Sequence, residues 1–343
     1  MRQARCFHAF VLFFFIFWVA LTHLGFLKLD EFPSFKELPA TFTIDALNGF
    51  VWQEENNGTG AKRLTCPKGP TVTVEDGLTG LGNQIWEYAQ AWAAAKILDR
   101  PGFVSESLAR KLKVYFPNIE MPTIEEISHC NVTKNATYMK MHVDVKTLKE
   151  SYKGVHVRIP QYDMLPELIL PYRDKLRDEI FKFHDEILER VQKTIHSFDA
   201  ENLTKVVLHV RRSDYIGLIA ILYKLSPAHS SFYLDAMDWF RKNIGGQLIF
   251  MIVTDDIGWC EKNLLIEKDV VIASDDTGHD LALLSIADHN IIDYGSFGMW
   301  AGVMSKGHTI ALIDIDFNGI MTKFKNWHVF DESKYTSKLE FEP

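Results

Sequence analysis

Cysteine is scarce: the chain has four in 343 residues. That is too few for a disulfide-built scaffold, so the fold must come from a packed core. A basic surplus is missing too. Lys and Arg number 37 against 45 Asp and Glu, a formal net charge of −8. Binding to a nucleic-acid backbone leaves a basic footprint that this chain lacks. There are no internal repeats and no low-complexity tracts. With 47 % apolar and 24 % charged residues, the chain is neither disordered nor collagenous, and its length allows two domains.

Long hydrophobic runs are absent except for one. Cys6 to Leu27 carries no Lys, Arg, Asp or Glu. About 20 such residues make a helix that spans the hydrocarbon core of a bilayer. Arg2 and Arg5 precede the run, while Lys28 is followed by Asp30 and Glu31. That bias favours a cytosolic tail (residues 1–5), a transmembrane signal anchor (6–27) and a type II topology. A cleaved signal peptide is the competing reading, but its apolar region is shorter and ends in a small-residue site. Four N-x-T sequons, at Asn57, Asn131, Asn135 and Asn202, lie beyond the run and suit a secretory lumen. Cys66, Cys130 and Cys260 would then meet an oxidising space, with at least one left unpaired. The sequence leaves open which two join.

Residues 28–70 lack sustained periodicity and are rich in Pro and Gly, as a stem would be. Thr71–Val74 alternates as a strand and leads through Gly77–Gly82 into an Ala-rich helix from Asn83 to Leu98. A second helix is expected between Tyr172 and His196, where Leu176, Ile180, Phe183, Ile187, Val191 and Ile195 form one apolar stripe. After Asn202 short apolar runs recur at 206–210, 248–253, 270–273, 290–292 and 309–313, separated by helical stretches at 231–242, 258–265 and 297–304. Strands buried on both faces and alternating with helices predict a doubly wound parallel sheet. The fold class is therefore α/β, with an N-terminal α/β domain at 71–200 and a Rossmann-like domain at 201–343.

The densest polar cluster is His209-Val-Arg-Arg-Ser-Asp214, at the end of a predicted strand, where open α/β sheets bind their ligands. Two adjacent Arg can fork onto a diphosphate, and Asp214 can orient an Arg or take a proton. A surface Arg–Asp ion pair beside a core His is the plainer reading. Gly77–Gly82 is a second phosphate candidate, weak by pattern and without the Lys of a P-loop. Close helix–strand packing with Asn83 as N-cap explains it equally well. Asp314-Ile-Asp316 matches the D-x-D of metal-dependent transferases, yet its place near the C-terminus favours a solvated turn. Thr254-Asp-Asp256 suits helix capping or a nucleotide site. No His/Cys set has metal-ligand spacing.

The HVRRSDY segment resembles the H-x-R-R-x-D signature of the α1,2-fucosyltransferases, Golgi type II membrane enzymes. Gly80-Leu-Gly-Asn-Gln-Ile-Trp-Glu-Tyr-Ala89 is similar to that family's G-x-G-N-Q-x-x-x-Y-A opening. Leu176–Ile180 with Phe183-His184, Ala236–Phe240, Val253–Asp256 with Trp259-Cys260, Asp280–Leu284, and Asp288–Gly298 with Trp300-Ala301 also align in order. The likeness covers roughly residues 74–315. It implies a GT-B arrangement of two facing domains and inverting transfer of L-fucose from GDP-β-L-fucose to galactose, without a metal ion or other cofactor. It implies catalytic roles for Arg211, Asp214 and His209. Donor contacts would come from His209, Arg211, Arg212, Gly82, Asn83, Ser296, Phe297 and Gly298. Plain capping by Ser296 is the alternative at the last of these positions. A catalytic base that is a lone Asp or Glu elsewhere would leave no motif. The stretch Ile216–His229 departs from the family pattern more than the Arg motif does, which touches acceptor choice before donor choice. A metal-dependent transferase, a Golgi sulfotransferase and a silent glycan-binding relative are the competing classes. The Arg-free loop at Gly77–Gly82 speaks against the second, and the Arg pair against the third.

Overall fold

The computed structural model describes residues 63–74, 77, 80–130, 136–140, 144–161, 164–312 and 326–339. The apolar run 6–27, the sequons at Asn57, Asn131 and Asn135, and Asp314 and Asp316 lie outside those residues. Asn202 sits in an exposed turn. Among the described residues no helix is long and apolar enough to cross a membrane.

Two parallel sheets form the scaffold. The first joins Val72–Val74 (β1), Gly102–Phe103 (β2), Thr137–Tyr138 (β3) and Val157–Ile159 (β4) in the order β2-β1-β4-β3. Val72 lies opposite both Gly102 and Val157. Helix α1, Leu81–Leu98, covers this sheet, and all of its residues except Asn83 and Lys96 are buried. Its apolar, Ala-rich composition on every side suits a helix covered all round. The helix starts two residues before the sequence suggests. Gly80 is its N-cap, so Asn83 lies inside the first turn and does not cap it. Helix α2, Glu106–Lys113, follows β2 and is capped by Ser105, whose side chain accepts from Leu108 N–H. Cys66 bonds Cys130, and Leu64 packs with Phe103 and Ile127, so the end of the stretch read as stem is docked onto this layer. Among the described residues Cys260 is the unpaired thiol, and it is buried.

The expected helix over 172–196 is broken. Leu176–Ile180 winds as a π-helix, and the chain leaves helical form before α3, Asp185–Ser197. The cause is aromatic packing. Phe181 docks edge-on to Tyr88, Phe116 and Trp300 at ring separations of 5.8, 5.2 and 5.0 Å. His184 N–H then bonds the carbonyl of Tyr115 instead of its own helix. Apolar spacing is the same in both halves, which is why the sequence reads as one helix.

The second sheet has six parallel strands: Thr204–Val210 (β5), Leu248–Thr254 (β6), Val270–Ile272 (β7), His289–Ile292 (β8), Thr309–Ala311 (β9) and Trp327–Val329 (β10). Their spatial order is β10-β9-β8-β5-β6-β7. The chain runs outward from β5 to β7, then returns to β8 on the other side of β5. That reversal is the switch point of a doubly wound sheet, where ligands bind beyond the strand ends. Between the strands lie α4 (Ser213–Tyr223), α5 (Ser230–Asn243), α6 (Ile257–Asn263), α7 (Thr277–Ile286) and α8 (Gly295–Met304). Helix α8 also packs on α1, with Trp86 and Trp300 edge to face at 5.4 Å. Arg173 closes its far end, donating to the carbonyls of Val303 and Ser305.

Toward the starts of β8, β9 and β10, away from the strand ends that carry the switch point, three histidines meet. His308 Nδ1 and His328 Nε2 are 2.9 Å apart, and His308 N–H donates to His289 Nδ1 at 2.9 Å. Trp239 lies against His328 at 4.5 Å. Burial, reinforced by His308, holds His289 and His328 below the ordinary histidine pKa. The unfolded chain then binds protons more readily, so stability falls as pH drops through about 6.5. Thermal melts of the wild type at pH 7.5 and 5.5 should show the lower Tm at 5.5. His328→Phe, which keeps the ring against Trp239, should shrink that difference. An undiminished difference would rule out the cluster as its source.

Candidate active site

The ends of β5 and β8 carry the site. His209 points from β5 toward Asp293, the first residue after β8. Its Nδ1–H donates to Asp293 Oδ1 at 3.0 Å. The same carboxylate accepts from Arg211 N–H at 2.6 Å and from the Tyr233 hydroxyl, on α5, at 2.8 Å. The Asp293 side chain is fully buried. A buried carboxylate needs such donors, because its desolvation is costly unless hydrogen bonds offset it. Burial and Asp293 together raise the Tyr233 pKa well above 10. With Nδ1 committed to Asp293, Nε2 is the ring atom of His209 left to exchange a proton.

Arg211 lies between two carboxylates, 2.7 Å from Asp214 Oδ1 and 2.8 Å from Asp255 Oδ2. Its side chain remains a third exposed. Asp214, in the first turn of α4, is 69 % exposed and touches Arg211 but not His209. Arg212 is different. Its guanidinium stacks on Trp259 at 3.9 Å, lies 3.5 Å from Asp256, and is only 11 % exposed. Asp255 also accepts from Arg212 N–H and the Ser213 hydroxyl, and Asp256 caps α6 by accepting from Trp259 N–H. The plainer reading of the motif, an Arg–Asp ion pair beside a buried His, thus describes much of what is there.

Two helix N-termini converge on this place. Helix α8 begins at Gly295 with Tyr294 as N-cap, and neither it nor α1 has a side-chain cap or an acidic residue in its first turn. Ser296 is therefore the second helical residue, and capping by its side chain is excluded. The two ends touch. A Cβ on Gly82 would lie 2.5 Å from Phe297 N and 2.7 Å from Ser296 Oγ. One on Gly298 would lie 2.7 Å from His209 Nδ1. Gly82, Ser296, Phe297, Gly298 and His209 are thus brought together, with Asn83 next to Gly82 in the chain and Arg211 joined through its backbone N–H to the Asp293 carboxylate that holds His209, whereas Arg212 is turned into the packing beside Trp259. Uncapped N–H groups at the positive end of a helix attract anions.

Sequence reasoning missed Asp293 and Tyr233. Asp293 sat inside a recognised block at a strand end, which was a usable signal; Tyr233 sat on the buried face of an amphipathic helix, where it reads as core, and gave none. Among the described residues, one trio of possible metal ligands lies close together: Cys66, His129 and Cys130. Its two sulfurs are bonded to each other.

A family model described as glycosyl transferase family 11 matches residues 59–333. The chain belongs to glycosyl transferase family 11. This family 11 chain is 30 % identical over 243 residues to galactoside alpha-(1,2)-fucosyltransferase 2 of Pongo pygmaeus, covering 68 % of each chain. It is 28 % identical over 264 residues to galactoside 2-alpha-L-fucosyltransferase SEC1 of Bos taurus, covering 74 % of this chain and 69 % of that one. Among solved structures, the fucosyltransferase NodZ from Bradyrhizobium aligns with a TM-score of 0.46 at 14 % identity, over 69 % of this chain and 94 % of that one.

Asp293, which accepts from the Arg211 backbone N–H, and Asp214, which pairs with its guanidinium, separate cleanly by stability. Asp293→Ala strands three buried donors and should cost about 3 kcal/mol or more. Asp214→Ala removes an exposed pair and should cost less than about 1 kcal/mol. Urea unfolding of both variants checks the contrast, and equal losses would contradict it.

Proposed function

We propose that this chain transfers L-fucose from GDP-β-L-fucose to the 2-hydroxyl of a galactose, giving an α1,2 linkage. Family membership and the activities in the names of its relatives support the chemistry. The observation that carries the reading is local: two uncapped helix N-termini meet at the switch point, beside Arg211 and His209. A departing diphosphate needs its charge met, and preorganised N–H groups with a guanidinium can do so. Arg211 and the first turns of α1 and α8 (Gly82 and Asn83; Ser296, Phe297 and Gly298) hold the diphosphate and donor. Arg212 contributes by fixing the loop that presents Arg211.

In an inverting transfer the acceptor oxygen attacks the anomeric carbon from the face opposite GDP, and a base takes its proton. His209, with Asp293 fixing its tautomer, can exchange that proton at Nε2. Asp214 serves as orienting group or base once phosphate replaces it on Arg211. Residues 71–200 form the acceptor side and 201–343 the donor side. Residues 6–27 anchor the chain in the Golgi membrane, with 28–70 as stem and the catalytic part in the lumen. The sequons at Asn57, Asn131, Asn135 and Asn202 are glycan sites. A metal ion is not required.

The test offers the full chain GDP-fucose and methyl β-galactoside, with and without EDTA. Fucose should appear on O2 in both. Loss of transfer in EDTA would move the reading to a metal-dependent transferase. Arg211→Ala should lower kcat/KM by at least about 100-fold with Tm little changed. Arg211→Lys should not restore it, because a point charge does not replace the fork. Near wild-type transfer in Arg211→Ala would overturn the site assignment.

A further inference from the structure

The first sheet reverses its strand order too. The chain leaves β1 for β2 on one side and comes back with β3 and then β4 on the other. Its crevice therefore lies beyond the ends of β1 and β4, where open α/β sheets take ligands. Helix α1 starts at this end and touches the start of α8 through Gly82, so the crevices of both sheets flank one helix contact. Gly77, three residues past β1, and Gln161, two past β4, meet there. A Cβ on Gly77 would strike the Gln161 carboxamide and lie 3.0 Å from Glu87 Oε1. Asn83, Glu87 and Gln90 form one stripe of α1 at i, i+4 and i+7. That stripe lines the chain following β4: Glu87 lies by Gln161, and Gln90 Oε1 accepts from Leu165 N–H.

We infer that the Gln161 carboxamide binds hydroxyls of the acceptor galactose and so sets acceptor specificity. The inference rests on the fucosyltransfer reading and adds a residue to its acceptor side. A reaction between two substrates needs two sites, and Arg211 marks the second sheet's crevice for the diphosphate. Charge separates the two places. Residues 75–90 and 160–165 contain no Lys or Arg, and Glu87 sets a buried carboxylate beside Gln161. A phosphate finds no cation there and meets a like charge, whereas a neutral sugar meets neither penalty. A carboxamide offers donors and an acceptor on one planar group, which suits neighbouring hydroxyls. Gln161 is half-buried, and among the described residues its side chain makes no hydrogen bond, so those bonds are left for a ligand.

The test offers the full chain GDP-fucose and methyl β-galactoside or its 3-, 4- and 6-deoxy forms. The wild type should lose about tenfold in kcat/KM with at least one deoxy form, mostly through KM. Gln161→Ala should raise KM for methyl β-galactoside by a similar factor and erase that one preference, with KM for GDP-fucose and Tm unchanged. Gly77→Ala, which pushes the carboxamide aside without removing it, should do the same. The double variant should be no worse than either, because both act on one contact. Deoxy preferences that are absent from the wild type, or that all survive Gln161→Ala, overturn the inference while transfer itself stands. Effects of the two variants that add, or a rise in KM for GDP-fucose in place of the galactoside, overturn it as well. If no galactoside is fucosylated, the reaction reading fails and the inference goes with it.

Discussion

The contact between Gly82 and the first turn of α8 is the constraint on which the rest of this structure depends. No side chain larger than hydrogen fits there, since a methyl would sit 2.5 Å from a backbone nitrogen. Gly82 is needed for close approach, not for an unusual backbone conformation; it is an ordinary helical residue of α1. Because α1 belongs to the first sheet and α8 to the second, this one approach brings the two halves into register. Trp86, Trp300 and Phe181 fill the space behind it with edge-to-face packing, which fixes the helix crossing more firmly than aliphatic contacts would. On the other side Gly298 lets the His209 ring lie directly under α8. The stack from α1 through α8 to β5 is thus only one side chain deep.

Asp293 does at the strand ends what Gly82 does between helices. One buried carboxylate ties the ends of β5 and β8 together through His209 and the Arg211 backbone, and recruits Tyr233 from α5. A carboxylate taken from water is tolerated only where several donors replace its hydration, and here three do. The arrangement also orients chemistry, because a histidine whose Nδ1 is committed offers a single, defined nitrogen to a reacting group. Structure and the proposed chemistry therefore draw on the same three hydrogen bonds.

Strand periodicity made the second sheet legible. Five of its six strands coincide with apolar runs and begin or end within a few residues of them, whereas β10, the short edge strand Trp-His-Val, matches no such run. The Arg motif and the Asp288–Gly298 block were legible for the same reason, since they follow strands directly. Helix starts were less so. Asn83 and Ser296 are good capping residues by type, but Gly80 and Tyr294 take the cap positions, so both lie inside the first turn. The break after Ile180 was hidden because Phe181 docks through tertiary contacts that no local spacing encodes. The roles of the two arginines were hidden as well. Sequence presents them as a pair, and only the position of Trp259 turns Arg212 into the packing while leaving Arg211 toward solvent.

That division settles an apparent conflict in charge. Four aspartates, at 214, 255, 256 and 293, surround two arginines, a poor setting for a diphosphate if all are counted alike. They are not alike. Asp293 is matched by His209, Tyr233 and a backbone N–H. Asp256 caps α6 and faces Arg212. Asp255 holds Arg212 N–H, the Ser213 hydroxyl and one edge of Arg211. Asp214 alone is mostly exposed and held by one ion pair, the kind of contact that contributes little in water. On the proposed reading, exchange of that carboxylate for phosphate costs little, leaves Arg211 braced by Asp255, and adds the N–H groups of two helices to the anion's surroundings. The carboxylate that this exchange would set free lies in the first turn of α4.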